Sequence, residues 1–263
     1  MAASPSLETA LEALRARGLE LRRGGEPVPA SHARPAIPTG HAALDAALGT
    51  GGWPRGALAS LDAPPGSGVT SLALSTLAAA QAAGGLVAWL DTEGVFDPAT
   101  AQRAGIDLAW LLVGRPADAD EAVELAAWLT RGGLLDALVL DLGAAVPSRG
   151  TLDRLGALLG RGAGVGLLLA PGAAGVATRA ATVRVTLERI AWLAVGRDLV
   201  GQRVTATVTR QRWALAGASA QLDLWFAEGR RIDQQLMSAA APAEATGDLD
   251  REPRLPALGA LSA

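Results

Sequence analysis

The amino-acid sequence predicts an α/β fold: a mostly parallel, twisted sheet with helices on both faces and an antiparallel edge formed by the late strands. Continuously apolar runs alternate with helical segments through the middle of the chain, which is typical of buried parallel strands. After Thr182 the runs alternate apolar with polar residues, which indicates strands exposed on one face. With 263 residues, half of them apolar, the chain can form one such domain with additional segments.

The first 22 residues predict a separate N-terminal helix. Ser4 and Pro5 form a typical helix start, with a capping hydroxyl followed by proline at the first helical position. Leucines then recur at helical spacing, at Leu7, Leu11 and Leu14. Residues 23–36 are rich in glycine and proline and are expected to form a linker. The helix either folds back onto the domain or docks onto a neighbouring subunit or partner.

The domain itself is expected to span residues 37–233. Its predicted parallel strands are Ala57–Leu61, Gly85–Leu90, Ala137–Leu140 and Gly166–Leu169, and its predicted helices are Thr70–Ala83, Ala117–Arg131 and Thr151–Leu159. The predicted antiparallel strands are Val183–Ile190, Gln202–Gln211 and Gln221–Phe226. Residues 234–263 lack periodicity, so we expect a mobile C-terminal tail.

Composition excludes several classes of site. The chain has no cysteine and only two histidines, His32 and His41, which excludes disulfides and thiolate metal sites and disfavours a histidine-based catalytic triad. The 23 basic residues against 26 acidic ones give a net charge of −3, which does not favour a nucleic-acid binder. No signal peptide or membrane-spanning run is visible, so the cytoplasm is the expected location and no membrane partner is expected.

Residues 62–72 have the outline of a phosphate-binding loop of the form G-x-x-x-x-G-K-[ST]. The first glycine is replaced by Ala63 and the lysine by Val69, whereas Gly68, Thr70 and Ser71 match the pattern. The lysine of such a loop reaches the β- and γ-phosphates, and this chain contains no lysine at any position. The loop is therefore predicted to be degenerate.

The order of motifs resembles the core of the RecA-like superfamily over about three quarters of the chain. The resemblance rests on the lead-in segments Ile37–Gly40, Leu44–Gly49 and Gly51–Gly56, the strand ends Asp91–Glu93 and Leu138–Asp141, and Asp97–Pro98. It implies that Glu93 takes the position of the catalytic glutamate. It also places Asp97 at the adenine and lets Asp141 and Thr70 hold a metal ion. The residues alone leave ordinary structural roles open, with Glu93 as a structural carboxylate and Thr70 and Asp141 as caps.

The chain departs from this family at four functional positions. Val69 stands at the loop lysine, Thr100 at the adenine-stacking aromatic residue, and Ala170-Pro171-Gly172 at the γ-phosphate sensor. The two DNA-contacting loops are reduced to about residues 142–150 and 170–181 and carry no aromatic residues. We therefore expect no catalytic residues and no cofactor. Weak binding of ATP and magnesium through the backbone amides of Gly66–Thr70 is the alternative, and DNA binding is expected to be weak or absent.

Within the superfamily, residues 51–58 most resemble the ImuA family of bacterial accessory proteins. The resemblance implies a non-catalytic adaptor in damage-induced, mutagenic translesion synthesis, as part of the SOS response. The implied partners are an ImuB-like relative of the Y-family polymerases, possible copies of the chain itself or RecA, and indirectly an error-prone C-family polymerase. The rival hypothesis is a weak ATP-binding switch, or a slow ATPase using Glu93, Thr70 and Asp141, that modulates RecA-type recombination.

Partner-binding candidates combine apolar residues of the two termini with one tryptophan: Leu7, Leu11, Leu14, Trp53, Leu255 and Leu258. Trp53 either covers the degenerate site or anchors a partner, or it packs locally. Five further tryptophans are predicted to lie in the core: Trp89, Trp110, Trp128, Trp192 and Trp225. Arg210, Arg212 and Trp213 form either a basic–aromatic group or a solvated strand edge.

Overall fold

The structure is a computed structural model that describes residues 35–171 and 177–226. The predicted helix within residues 1–22 and the tail 234–263 lie outside these ranges. The same holds for five partner-binding candidates, Leu7, Leu11, Leu14, Leu255 and Leu258. The predicted linker enters the described part only at its end, where Ala36 and Ile37 pair with Pro54 and Trp53.

The described residues alternate strands and helices in chain order. The strands are β1 (Ala36–Ile37), β2 (Trp53–Pro54), β3 (Leu58–Ala63), β4 (Leu86–Asp91), β5 (Leu111–Gly114), β6 (Leu135–Asp141), β7 (Val165–Pro171), β8 (Val183–Val195), β9 (Asp198–Gln211) and β10 (Ser219–Trp225). The helices are α1 (Ala42–Leu48), α2 (Val69–Ala82), α3 (Pro98–Arg103), α4 (Ala119–Arg131), α5 (Arg149–Arg161) and α6 (Ala177–Ala180), with a 3-10 turn at Leu108–Trp110.

Eight strands form one sheet in the order β10-β9-β8-β3-β7-β6-β4-β5. The strands from β8 to β5 run parallel to their neighbours, and β9 and β10 add antiparallel pairs beyond β8. The predicted fold class, a mostly parallel sheet with an antiparallel edge, is therefore confirmed. Parallel strands place their carboxyl ends at one edge of the sheet, where ligands bind in such folds.

The core consists of two apolar layers, one on each face of the sheet. Alternation along β6 divides its residues between them, because successive side chains of a strand point to opposite faces. Val139 packs with α2 residues such as Leu72 on one face. Leu138 packs with α5 residues such as Leu152 on the other.

The predicted helices and strands match the structure to within a few residues, but several short elements were not predicted. These are β1, β2, β5, α1, α3 and α6. They are two to seven residues long, which is too short for a periodic pattern to develop. Strand β8 is longer than predicted because residues 188–195 are mostly exposed on both faces, so the apolar–polar alternation that marks a strand ends at Leu187.

The tryptophans correct the sequence prediction. Trp89 is buried and Trp225 half-buried, but the prediction of core positions is wrong for Trp110, Trp128 and Trp192, which are 64%, 67% and 40% exposed. Each of these three is flanked by apolar residues, and the sequence does not show that their segments lie at the margin of the sheet or on the outer face of a helix.

Trp53 is wholly buried, and local packing is its role in the structure. Its exposed fraction is 0%, and its Nε1–H donates a hydrogen bond of 3.0 Å to Oγ1 of Thr76 in α2. The Thr76 hydroxyl in turn donates to the carbonyl oxygen of Thr39. The tryptophan therefore joins the lead-in segment to α2, and a side chain without accessible surface cannot anchor a partner in this conformation.

Candidate functional site at the carboxyl ends of the strands

The loop between β3 and α2 forms a tight turn that ends in an uncapped helix start. The amide of Ser67 donates to the carbonyl oxygen of Pro64 at 3.2 Å, which closes the turn. Gly66 and Gly68 have φ angles of 77° and 89°, in the left-handed region that glycine adopts without strain. No side chain caps α2, so the first-turn amides face the loop as in a phosphate-binding site.

The side chain at the lysine position packs against the core. Val69 is partly buried and packs against the apolar layer that contains Leu72 and Leu77. Thr70 is exposed and Ser71 is half-buried. Gly66, Gly68, Thr70 and Ser71, the predicted nucleotide-binding residues, thus surround a position whose side chain packs against the apolar layer.

Two residues of the antiparallel edge pack against the last glycine of the loop. A Cβ atom on Gly68 would overlap Cδ1 of Leu224 and would lie 2.7 Å from Nε2 of Gln202. Gln202 is only 3% exposed, and its Oε1 has no hydrogen-bond partner among the described residues. The strands β9 and β10 therefore support the loop from a distance of more than 130 positions along the chain.

Arg189 on β8 lies at the same loop and was not singled out from the sequence. Its Nη1 donates a hydrogen bond of 3.3 Å to the carbonyl oxygen of Gly66. Its guanidinium group also stacks over the indole of Trp192, 4.2 Å from the ring centroid. Because residues 66 and 189 are far apart in sequence, only the pairing of β8 with β3 brings this arginine to the loop.

Three carboxylates gather at the ends of β4 and β6. Asp91 and Asp141 are register partners on these adjacent strands. Asp91 is buried and accepts hydrogen bonds from the amides of Glu93, Gly94 and Phe96, so it stabilises the turn after β4. Of the candidate residues, Glu93 and Asp141 are close enough for the charge of Glu93 to act on Asp141.

Glu93 is held by the loop after β6. Its Oε1 accepts a hydrogen bond of 3.4 Å from the amide of Ala144. Gly143 leaves room for the carboxylate, because a Cβ atom on residue 143 would overlap it. The structure is compatible with either role of Glu93, as a structural carboxylate or as a base.

The pKa of Asp141 is raised to about 6, first by burial and then by the neighbouring carboxylates of Asp91 and Glu93, against a backbone hydrogen bond from Gly143 that lowers it. A carboxyl group with this pKa ionises in the range where a general acid or base operates. The same shift arises wherever carboxylates crowd together in a partly buried place, so it does not by itself indicate catalysis.

Asp97 caps α3. Its carboxylate accepts hydrogen bonds from the amides of Ala99 and Thr100, at 3.0 and 3.2 Å, and from the Thr100 hydroxyl. The hydroxyl is the main reason that the pKa of Asp97 is lowered, with the Ala99 amide next. Pro98 follows at the first helical position. Asp97 and Thr100, the two positions that the resemblance places at an adenine ring, are therefore engaged with each other.

Arg210 lies near the end of β9 and Arg212 directly after it, and both are exposed. Arg210 donates through Nη1 to the carbonyl oxygen of Arg179, and Arg212 stacks over Trp213 at 5.8 Å. They do not form a single basic–aromatic surface with the phosphate loop in the described residues.

Neither a metal cluster nor a membrane span is present in the part of the chain that the structure describes. Within residues 35–171 and 177–226, no group of three or more histidine or acidic side chains is arranged to hold a metal ion. None of the helices in these ranges is long and apolar enough to cross a membrane. Chemically, the site consists of an uncapped helix start, one nearby arginine and a separate group of carboxylates.

Comparison with known proteins places the chain in a family. Residues 24–157 match the RecA N-terminal domain. The chain is 34% identical to RecA of Mycolicibacterium vanbaalenii over 228 residues, which is 73% of this chain and 65% of that protein. It is 32% identical to RecA of Bifidobacterium breve over 85% of this chain and 66% of the relative, and 32% identical to RecA of Salinispora arenicola over 87% and 77%. It thus spans about two thirds of the length of the first two relatives.

The fold also matches a solved structure. The crystal structure of the RadB recombinase superposes with a TM-score of 0.55 at 20% sequence identity, covering 71% of this chain and 95% of that chain. At this identity the likeness shows the fold alone, a RecA-like α/β core. The match of the RecA N-terminal domain and the RecA relatives that are 32–34% identical show that the chain belongs to the RecA family.

Proposed function

We propose that this RecA-family chain is a non-catalytic adaptor in damage-induced, mutagenic translesion DNA synthesis. Its proposed partners are an ImuB-like relative of the Y-family polymerases and further copies of itself or RecA, with an error-prone C-family polymerase joined indirectly. The proposal follows from the resemblance of residues 51–58 to the ImuA family and from the state of the phosphate loop.

The observation that carries the proposal is the position of Val69. In a working loop the side chain at this position is a lysine that neutralises charge on the β- and γ-phosphates. Here the side chain packs against the core, and Leu224 lies against the preceding glycine. Removing one preorganised electrostatic contact from an active site costs about 2.7–4 kcal/mol in the barrier, so rapid ATP hydrolysis is not expected.

An adaptor also needs a surface for a protein, and the free edge of the sheet offers one. Strand β5 pairs only with β4 among the described strands, and it exposes Leu112 and Val113 to 44% and 45%. Trp110 precedes the strand and is also exposed. Unpaired edge strands with apolar side chains are templates for the addition of a strand from another chain.

A cavity of about 540 Å³ lies beside this edge. Its walls are apolar apart from one arginine, and are formed by Phe96, Pro98, Leu108, Leu111, Val113 and Arg115. Such a cavity suits an apolar anchor residue of a partner segment with an acidic neighbour.

The proposal is tested by co-purification of the full chain with a purified ImuB-like polymerase relative, combined with a phosphate-release assay. We expect a stable complex without ATP, no turnover, and loss of the complex in a Trp110→Ser, Val113→Asp variant. Trp128→Ser is the matched control, because Trp128 is equally exposed but lies on α4. The rival hypothesis of a slow ATPase would be established by two results together. The chain would form no stable complex with the polymerase relative, and it would release phosphate from ATP in a reaction that Glu93→Gln abolishes.

A further inference from the structure

The loop between β3 and α2 keeps most parts of an anion site although its lysine is missing. The helix start is uncapped, and α2 has no acidic residue in its first turn. The helix has 14 residues, so its N-terminal amides carry the partial positive charge of a full helix dipole. These features alone do not make a site, because many helices begin in this way.

A second feature is the buried amide of Gln202. Its side chain ends against Gly68, and Oε1 has no hydrogen-bond partner among the described residues. Buried polar atoms in folded proteins are almost always paired, so an unpaired one calls for a missing ligand or water. Rotation of the amide by half a turn exchanges its oxygen and its NH₂ group, so it can accept from or donate to a ligand.

A third feature is a guanidinium group at the mouth of the loop. Arg189 donates to the carbonyl oxygen of Gly66, and it forms no ion pair with any carboxylate in the described part of the chain. Two other arginines of the antiparallel edge are already paired, Arg184 with Asp62 and Arg203 with Asp223. The charge of Arg189 is therefore available to an anion beside the loop amides.

We propose that Arg189 supplies, from β8, the positive charge that the loop lacks at Val69, and that the loop binds a phosphate group of a small phosphate or polyphosphate anion. Arginine suits this role, because its planar fork donates two parallel hydrogen bonds to phosphate oxygens. The guanidinium group of Arg189 lies at the loop through its hydrogen bond to the Gly66 carbonyl oxygen. This inference does not rest on the adaptor role and holds whether or not the chain binds a polymerase.

Trp192 gives the site an optical readout. Its indole lies under the guanidinium group at 4.2 Å, so movement of Arg189 toward a bound anion changes the environment of the ring. The exposed position of Trp192 also makes replacement by phenylalanine tolerable, which allows its signal to be separated from those of the other tryptophans.

The test is calorimetric titration of the full chain with sodium pyrophosphate in the absence of magnesium. We expect saturable binding of pyrophosphate and of ATP, and a loss of affinity of about tenfold or more in Arg189→Gln, since hydrogen bonds to charged groups are the strong ones. Arg212→Gln is the matched control, because Arg212 is also an exposed arginine that stacks on a tryptophan but lies away from the loop. Its affinity should equal that of the unmodified chain. The affinity of Arg189→Lys for pyrophosphate should lie between those of Arg189→Gln and Arg212→Gln.

The other outcomes would overturn the proposal. Equal affinities of Arg189→Gln and Arg212→Gln, with both variants folded by circular dichroism, would exclude Arg189 as the cation. Absence of heat with the unmodified chain would exclude the anion site, as would binding of a single-stranded oligonucleotide but not of pyrophosphate. A change of fluorescence on adding pyrophosphate that disappears in Trp192→Phe would place the anion beside Arg189 by a measurement independent of heat.

Discussion

Glu93 and Gly143 occupy complementary positions, and the carboxylate of Glu93 fills the space in which a side chain of residue 143 would begin. Gly143 has a φ angle of 54°, in the left-handed region, and the adjacent amide of Ala144 donates to the carboxylate. The glycine thus serves both the loop conformation and the position of the acidic group, in the two loops that follow the adjacent strands β4 and β6.

We expect Gly143→Ala to lower the free energy of unfolding by about 1–3 kcal/mol, since alanine is strained at a positive φ and its Cβ displaces Glu93. Urea denaturation measures the loss. Gly133→Ala is the matched control, because Gly133 has a φ of 65° but no atom within 4 Å of the added Cβ. Equal losses in the two variants would contradict a steric role of Glu93. In the double variant Glu93→Ala, Gly143→Ala, the loss of stability should fall to that of Gly133→Ala.

Val69→Lys is expected to lower the stability by about 1 kcal/mol and to leave ATP turnover undetectable. The lysine loses the apolar contacts of Val69 with the core and must carry its charge to the surface. Thermal melting and phosphate release are the measurements. Val69→Ile, which keeps an apolar side chain, serves as the control for the substitution itself. Rapid turnover in Val69→Lys would show that the site is intact except for one residue.

Asp141→Asn is expected to stabilise the protein at about pH 8, and the gain should disappear as the pH falls. Because the pKa of Asp141 is raised to about 6 from its ordinary value of 3.8, the folded state holds the proton more tightly than the unfolded state. The ionised carboxylate therefore destabilises the fold, an effect that grows as the pH rises from about 4 through about 6 and is complete above it. Denaturant unfolding of both proteins across this range checks the sign. A gain that is the same at both ends of the range would contradict the assignment.

Trp53→Phe is expected to destabilise the protein by about 1–3 kcal/mol, because the indole N–H donor to Thr76 is lost and the smaller ring leaves space in a wholly buried position. Trp128→Phe, at a position that is 67% exposed, should change stability by less than about 0.5 kcal/mol. Chemical denaturation of the two variants side by side makes the comparison. Similar effects would mean that the buried hydrogen bond contributes little.

The fold was largely predictable because its strands have strong patterns. The run Leu138–Leu140 is apolar on both faces because both are covered, and the alternation of Val183–Leu187 reflects one open face. The edge strand β5 escaped prediction because its four residues, half of them exposed, resemble neither pattern.

The site was predictable only where neighbours in sequence form it. Gly66, Gly68 and Val69 follow one another along the chain, so their motif can be read directly. Arg189, Gln202 and Leu224 reach the loop through the pairing of β3 with β8, and of β9 with both β8 and β10. The register of the β8–β9 pair depends on bulges near Arg189, and the local sequence pattern does not predict them. The hydrogen-bond partner of the Trp53 indole, Thr76, likewise lies 23 positions away in sequence.

The contact of Val69 with the core has a consequence for the history of the chain. Once an apolar side chain at this position has become part of the packing, a single reversion to lysine loses stability before it can restore any chemistry, and Leu224 would still press on Gly68. A return to lysine by single substitutions therefore passes through a less stable protein. The packing of Val69 and of Leu224 at the loop therefore opposes a return to lysine at this position.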